Sequence, residues 1–277
     1  MGVVQRLHAC PQRLREDGTN ARRLVRTRRA KEAQLSGIEG LEIERRDHTL
    51  VATAQRGDQN LFSGEMIDAL SDAVEEAARD GLRFVRIRAR GSVFCVGRDR
   101  AGATPLELRD EAARIVRVND TLRTTPLTVV AEVQGDAAGF GAGLVASADI
   151  AVAAESARFW FPEILGGLAP TIVISWLSKS IPYKVAFDMV TSGEPIGARE
   201  AERLGLVTAV EPMERLEASV DERLERLAGA SAGAIREIKQ FFVRTRGLDP
   251  AASSAAAIEA LALSAVRNKV EREGASA

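Results

Sequence analysis

Regular alternation of apolar and polar positions begins at Leu41 and marks the start of the readable fold. Residues 41–44 and 49–54 have the pattern of two short strands parted by Arg46 and Asp47, which predicts a hairpin. Ser63 then stands as an N-cap before Met66, Ile67, Leu70 and Val74 at helical spacing. In residues 84–89, Val85, Ile87 and Ala89 alternate with Arg86, Arg88 and Arg90, so one face of that strand is apolar. The arginine face could hold a phosphate, although alternation alone accounts for it as a solvated strand face. Residues 106–122 predict a helix with Leu108, Ala112, Ile115, Val116 and Val118 on its buried side, ending before Pro126.

The β-branched run 127–133 predicts a buried strand, residues 135–143 a glycine-rich turn, and residues 150–154 a further strand. From about Ile172 the pattern is mostly helical, and the Ala/Ser-rich stretch 253–257 fits helix or linker. Strands with intervening helices predict an α/β domain in which a strand-strand-helix order can recur. Its helical C-terminal third is expected to be a separate layer or an oligomerisation element. Ahead of this, residues 1–40 are crowded with arginine and poor in apolar side chains, so a disordered extension is expected. Glu16, Asp17 and Glu32 argue against a transit peptide there. The expected organisation is an extension (1–40), a core (41–210) and a helical region (211–277).

Composition narrows the function. A chain of 277 residues, 45% hydrophobic and 28% charged, can bury one core of catalytic size. Its formal net charge of -1 removes the electrostatic case for nucleic acid or an acidic membrane as partner. No apolar run approaches the roughly 18–20 residues of a membrane span. Two cysteines, Cys10 and Cys95, are too few for a disulfide framework or a thiolate zinc site, and a reducing cytoplasmic setting is expected. With only His8 and His48, a Ser/His/Asp triad or a histidine-rich metal site has almost no material. No metal site is therefore expected, and neither a Walker loop nor a GxGxxG dinucleotide loop occurs.

A turn holding Gly139 and Gly141 between a strand and a helix offers backbone amides that suit an anion or a developing oxyanion. The turn 95–99 (CVGRD) can present another. Two N–H groups converging on one carbonyl oxygen would make an oxyanion hole, where losing one donor costs about 100 to 1,000-fold in rate. Spacing alone equally allows two tight turns without a ligand.

The segment 94–99 (FCVGRD) resembles a signature of the crotonase (enoyl-CoA hydratase/isomerase) superfamily. Residues 129–141 (VVAEVQGDAAGFG) are similar to the family's glycine-rich stretch, with Thr128 where proline is usual. Residues 148–167 (ADIAVAAESARFWFPEILGG) and 192–207 (SGEPIGAREAERLGLV) match two further motifs, and Gln59-Asn60 a fifth point near the start. The resemblance spans roughly residues 41–270. It implies a spiral core of β-β-α turns with a C-terminal helical trimerisation region, a homotrimer or hexamer, and an acyl-CoA thioester as partner, coenzyme A being part of the substrate. It also implies backbone N–H donors at Arg98 and Phe140, substrate contacts at Val96, Gly97, Gly139, Gly141 and Pro162, and an acid/base carboxylate at Glu163. The aromatics Phe159, Trp160 and Phe161 are expected to wall that carboxyl and raise its pKa by desolvation. Glu163 could also be a helix N-terminal acid following proline.

Departures from the family pattern matter as much. Two-carboxylate hydratases resembling this chain carry a first glutamate at the position of Gly143. One carboxylate is the arrangement of the family's isomerases. Gly143-Leu144-Val145 and the loop 170–175 (PTIVIS) instead resemble methylglutaconyl-CoA hydratases of branched-acyl pathways. The resemblance therefore implies hydration of a 2-enoyl-CoA, with double-bond isomerisation or a non-catalytic binding subunit as alternatives. Arg98 could clamp an acyl carboxylate or a coenzyme A phosphate, or lie in solvent. The family's closing aromatic and basic segment has no match, and Lys239, Arg267 and Lys269 are the substitutes available to coenzyme A.

Overall fold

The computed structural model describes residues 33–274, so Cys10, His8 and most of the expected N-terminal extension lie outside the described residues. Strands β1 (Ala33–Ile38), β2 (Leu41–Arg46) and β3 (Thr49–Ala54) pair antiparallel in sequence order. The fold thus starts ahead of the boundary expected at residue 41, because β1 holds only Leu35 and Ile38 as large apolar residues and gives no alternation to read. The hairpin between β2 and β3 turns on Asp47, whose φ of 50° lies in the left-handed region that Asp tolerates. Helix α1 (Gly64–Arg79) follows, its Ser63 hydroxyl accepting from the Met66 N–H as expected.

A strand-strand-helix unit then repeats. Strands β4 (Phe84–Ala89) and β5 (Val93–Cys95) precede helix α2 (Pro105–Thr124). Strands β6 (Thr128–Val133) and β7 (Asp136–Ala138) precede helix α3 (Phe140–Ser147). Strands β8 (Ile150–Ala154) and β9 (Arg158–Trp160) precede a 3-10 helix (Pro162–Gly166) and helix α4 (Thr171–Leu177). The first strand of each unit joins a seven-stranded sheet and the second a four-stranded sheet. The remaining elements are α5 (Tyr183–Ser192), β10 (Ile196–Gly197), α6 (Ala198–Leu204), β11 (Ala209–Glu211), α7 (Met213–Ala228), α8 (Ala232–Thr245) and α9 (Pro250–Gly274). The stretch 253–257 is part of α9, and the loop expected at 170–175 is helical from Thr171. The architecture is α/β, with a helical C-terminal region.

The large sheet is covered on both faces, which revises the reading of β4. On one side Val85, Ile87, Val129 and Ala131 join the main core with α1 and α3. On the other, α7 packs Leu216 and Val220 on Val130, Val152 and Ala154. Arg86 is therefore neither solvated nor a phosphate ligand. It is buried, donates from Nε to Glu132 and reaches Asp221 of α7 at 2.7 Å, while Arg88 pairs with Glu217 at 3.1 Å. A buried guanidinium needs such partners, and α7 brings Asp221 from 135 residues downstream, beyond the reach of local pattern. Helix α2 also departs from expectation: Val118 is buried, but Leu108 and Val116 are exposed.

Candidate active site

The small sheet gathers the site. Strands β5, β7 and β9 are parallel neighbours, with Cys95 opposite Ala137 and Ala138 opposite Trp160. Their C-terminal ends thus lie along one edge at the strand spacing of about 4.8 Å, and the segments that leave them emerge side by side. These are 96–99, the start of α3, and the 3-10 helix that begins at Pro162.

Three glycines permit the approach. A Cβ on Gly141 would lie 2.0 Å from the Cys95 carbonyl oxygen, and one on Gly135 1.8 Å from that of Ser92. Backbone therefore packs on backbone at both ends of the β5–β7 pair, and no larger residue fits. Gly139 has φ 52°, a left-handed conformation that starts α3 directly after β7. Its N–H bonds to the Trp160 carbonyl at 3.0 Å, tying the turn to β9.

The amides of Arg98 and Phe140 are left free. Residue 98 bridges Phe62, which donates to Gly97 and accepts from Asp99, so the Arg98 N–H points to the opposite side. Phe140 is the first residue of α3, where N–H groups have no intrahelical acceptor. Among the described residues nothing accepts either N–H. The Phe140 ring packs on Phe62 with centroids 5.2 Å apart, which fixes the helix start against the same segment that holds residue 98.

Both amide-bearing residues line one cavity of about 470 Å³, together with Val96, Gly97, Gly139, Pro162 and Glu163. Gly141, the remaining expected contact, does not line it and acts from behind by letting Cys95 come close. The Glu163 carboxyl lies against Gly139, whose hypothetical Cβ would be 3.0 Å from Oε1. Its Oε2 is buried with no hydrogen-bond partner, and burial pushes its pKa above the ordinary carboxylate range, opposed first by a hydrogen bond from its own backbone N–H and then by Arg100 and Arg98. The aromatics expected to cause this are not the wall. Phe159 and Phe161 are buried in the core beneath the site, and the apolar lining comes from Leu61, Ile115, Leu168, Ile172 and Val173. Leu108 also lines the cavity, which explains why part of the apolar stripe of α2 is exposed. A Cβ on Gly143 would meet nothing within 4 Å, so a second carboxylate there is missing without replacement.

The Arg98 side chain does not lie free in solvent but is engaged within the protein. Its Nη1 donates to Glu111 Oε2 at 2.7 Å, and Glu111 Oε1 accepts from the Ala101 and Gly102 amides at 2.9 and 2.6 Å. Glu111 of α2 thereby tethers the loop that carries the Arg98 N–H. Asn60 pins the same region: buried and at φ 48°, it bonds the Arg90 and Val93 carbonyls and the Arg56 amide. Neither residue stands out in the sequence, since an isolated polar side chain carries no periodicity, and Asn60 is marked there only by the motif that holds it. Of the cations considered for coenzyme A, Lys239 is buried on Asp149 and two carbonyls, and Arg267 pairs with Glu237. The Lys269 side chain lies outside the described residues. Arg100 lines the cavity and has no ion-pair partner among the described residues.

The enoyl-CoA hydratase/isomerase family profile matches residues 9–277. Enoyl-CoA hydratase domain-containing protein 3, mitochondrial, of Mus musculus is 35% identical over 191 residues, covering 67% of this chain and 64% of that protein. The chain thus matches just under two thirds of that relative's length. An enoyl-CoA hydratase of Mycobacterium smegmatis superposes with a TM-score of 0.78 at 29% identity, over 81% of this chain and 90% of that one. Human enoyl Coenzyme A hydratase domain-containing protein 3 does so with 0.75 at 28%, over 80% and 90%. Fold, motif order and family profile coincide, and the chain belongs to the enoyl-CoA hydratase/isomerase family of the crotonase superfamily.

Proposed function

We propose that the protein hydrates a 2-enoyl-CoA thioester, with the Arg98 and Phe140 N–H groups binding the thioester oxygen and Glu163 moving the proton. The observation that carries this reading is the convergence on one cavity of two unpaired amides and one buried carboxyl with an unpartnered oxygen. Polarising the thioester draws electron density from the double bond and opens the β carbon to water. Glu163, as carboxylate, takes a proton from that water while the oxygen bonds to the β carbon and an enolate forms. The same carboxyl then returns its proton to the α carbon, so the net change is addition of one water. The open space at Gly143 supports room for that water.

The lone carboxylate favours a second reading, in which Glu163 shuttles one proton between the α and γ carbons of a 3-enoyl-CoA. Incubation with crotonyl-CoA and methylglutaconyl-CoA, following loss of enoyl absorbance, separates the two. Loss supports hydration; no loss, with conversion of a 3-enoyl-CoA, assigns isomerisation. A protein that binds no acyl-CoA at all would be a non-catalytic subunit. Arg100 is the cation available to a coenzyme A phosphate in this reading. Exposed Ile258, Leu261, Leu263 and Val266 on α9 support the expected homotrimer or hexamer.

A further inference from the structure

Behind the candidate active site, at the other end of α3, a second cleft of about 470 Å³ opens between the core and α8. It shares no lining residue with the first. Four cations line it, Arg123, Lys179, Lys239 and Arg246, against one acid, Asp149. Lys239 and Asp149 neutralise each other at 2.7 Å, and Lys239 spends its other donors on the Leu122 and Leu127 carbonyls. The excess is therefore carried by Arg123, Lys179 and Arg246. Among the described residues Lys179 and Arg246 make no ion pair, although Arg246 lies near enough to Asp149 to favour its charged form, and the acid near Arg123, Asp120 at 3.3 Å, lies outside the cleft.

Arg123 is the informative member. Its side chain is only 17% exposed, its Nε is buried without a partner, and its guanidinium carbon lies 5.1 Å from the ring centre of Trp176. Burial lowers its affinity for the proton, opposed by Asp120, and Arg246 nearby adds to the lowering. Like charges converging on a shared space, with a donor unspent, are unfavourable unless an anion joins them. The rest of the wall is apolar and includes Ile181, Leu206 and Phe242.

We propose that this cleft binds a small amphiphilic anion, an apolar body bearing a carboxylate or a phosphate, with the head held by Arg123, Lys179 and Arg246. The proposal is independent of the function assigned above. The chain has two tryptophans, Trp160 and Trp176, so Trp160→Phe leaves Trp176, stacked on Arg123, as sole reporter. Octanoate, octyl phosphate and 1-octanol are titrated against its emission in the presence of saturating coenzyme A. At least one anion is expected to give a saturable change at least 10-fold tighter than 1-octanol, and which of the two binds better identifies the head group. Lys179→Gln with Arg246→Gln, both exposed and removable without loss of fold, should weaken that binding at least 10-fold. Calorimetry on the unmodified protein repeats the comparison should Trp160→Phe fold poorly. Equal affinity for 1-octanol, affinity unchanged in the double variant, a signal abolished by coenzyme A, or no saturable response to either anion overturns the assignment.

Discussion

Replacing Gly141 by alanine tests whether backbone contact between two turns assembles the site. The new Cβ would sit 2.0 Å from the Cys95 carbonyl oxygen, whereas carbon and oxygen need about 3.3 Å, so strand β5 and helix α3 must part by about 1.3 Å. Neither side can yield cheaply, because both clashing groups are main chain and Gly141 is buried in a close-packed core. Overpacking of this kind costs about 1–3 kcal/mol, which for a chain of this length lowers Tm by about 2–12 °C. The larger effect is on geometry. Cys95 precedes the loop of Arg98, and Gly141 follows Phe140, so the same displacement separates the two amides. A misplacement of about 1 Å costs on the order of 100-fold in rate. The assay is kcat/KM for the enoyl-CoA found to turn over, with binding of coenzyme A and thermal melting measured alongside. Gly197→Ala is the control, since its φ of -76° and the empty space around its hypothetical Cβ leave only the cost of alanine at a helix N-cap, about 1 kcal/mol, with no backbone clash. Turnover in Gly141→Ala equal to that of the parent, or a loss matched by Gly197→Ala, would refute the reasoning.

Other outcomes follow from the same geometry. Glu163→Gln should lower turnover by about 100 to 10,000-fold while coenzyme A still binds. Because burial raises the Glu163 pKa, the folded chain takes up this proton more readily than the unfolded one. The resulting stability is present below the ordinary glutamate range and lost as pH rises through the raised value. The melting curve of Glu163→Gln should therefore match the parent at low pH and lie above it at neutral pH; a fixed difference at all pH values contradicts the burial argument. The acid limb of the kcat/KM profile should fall above 4.5 for the same reason. Glu111→Gln keeps an acceptor for the loop amides but loses the Arg98 pair, and about a 10-fold fall in kcat with KM little changed is expected for a positioning residue. Burial pushes the Cys95 thiol up to about 12, against the opposing hydrogen bond to the Gly97 carbonyl, so in a Cys10→Ser chain a maleimide at pH 8 should label it only after unfolding in urea.

Local signals were the legible part of this fold. The β2–β3 hairpin, the Ser63 cap and strands β4, β6 and β8 follow from alternation, capping and β-branched runs that act within a few residues. The candidate site was legible through ordered motifs, because glycine at 139 and 141 answers a steric demand that leaves a trace in sequence. What escaped depends on partners far along the chain. The fate of Arg86 is decided by Asp221, and that of Lys239 by Asp149. Helix α2 misled because an apolar stripe can face a cavity as well as a core: Leu108 lines the cavity, and Val118 enters the core. Glu111 was invisible for a related reason, since one acid on a charged helix carries no mark of the loop it anchors.

A crystal structure of Glu163→Gln with crotonyl-CoA bound measures the central arrangement directly. The thioester oxygen should lie about 2.7–3.1 Å from the amide nitrogens of Arg98 and Phe140, with the α carbon facing the residue 163 carboxamide. A thioester oxygen bound to any other group, or an acyl chain on the far side of the cavity from residue 163, would contradict it.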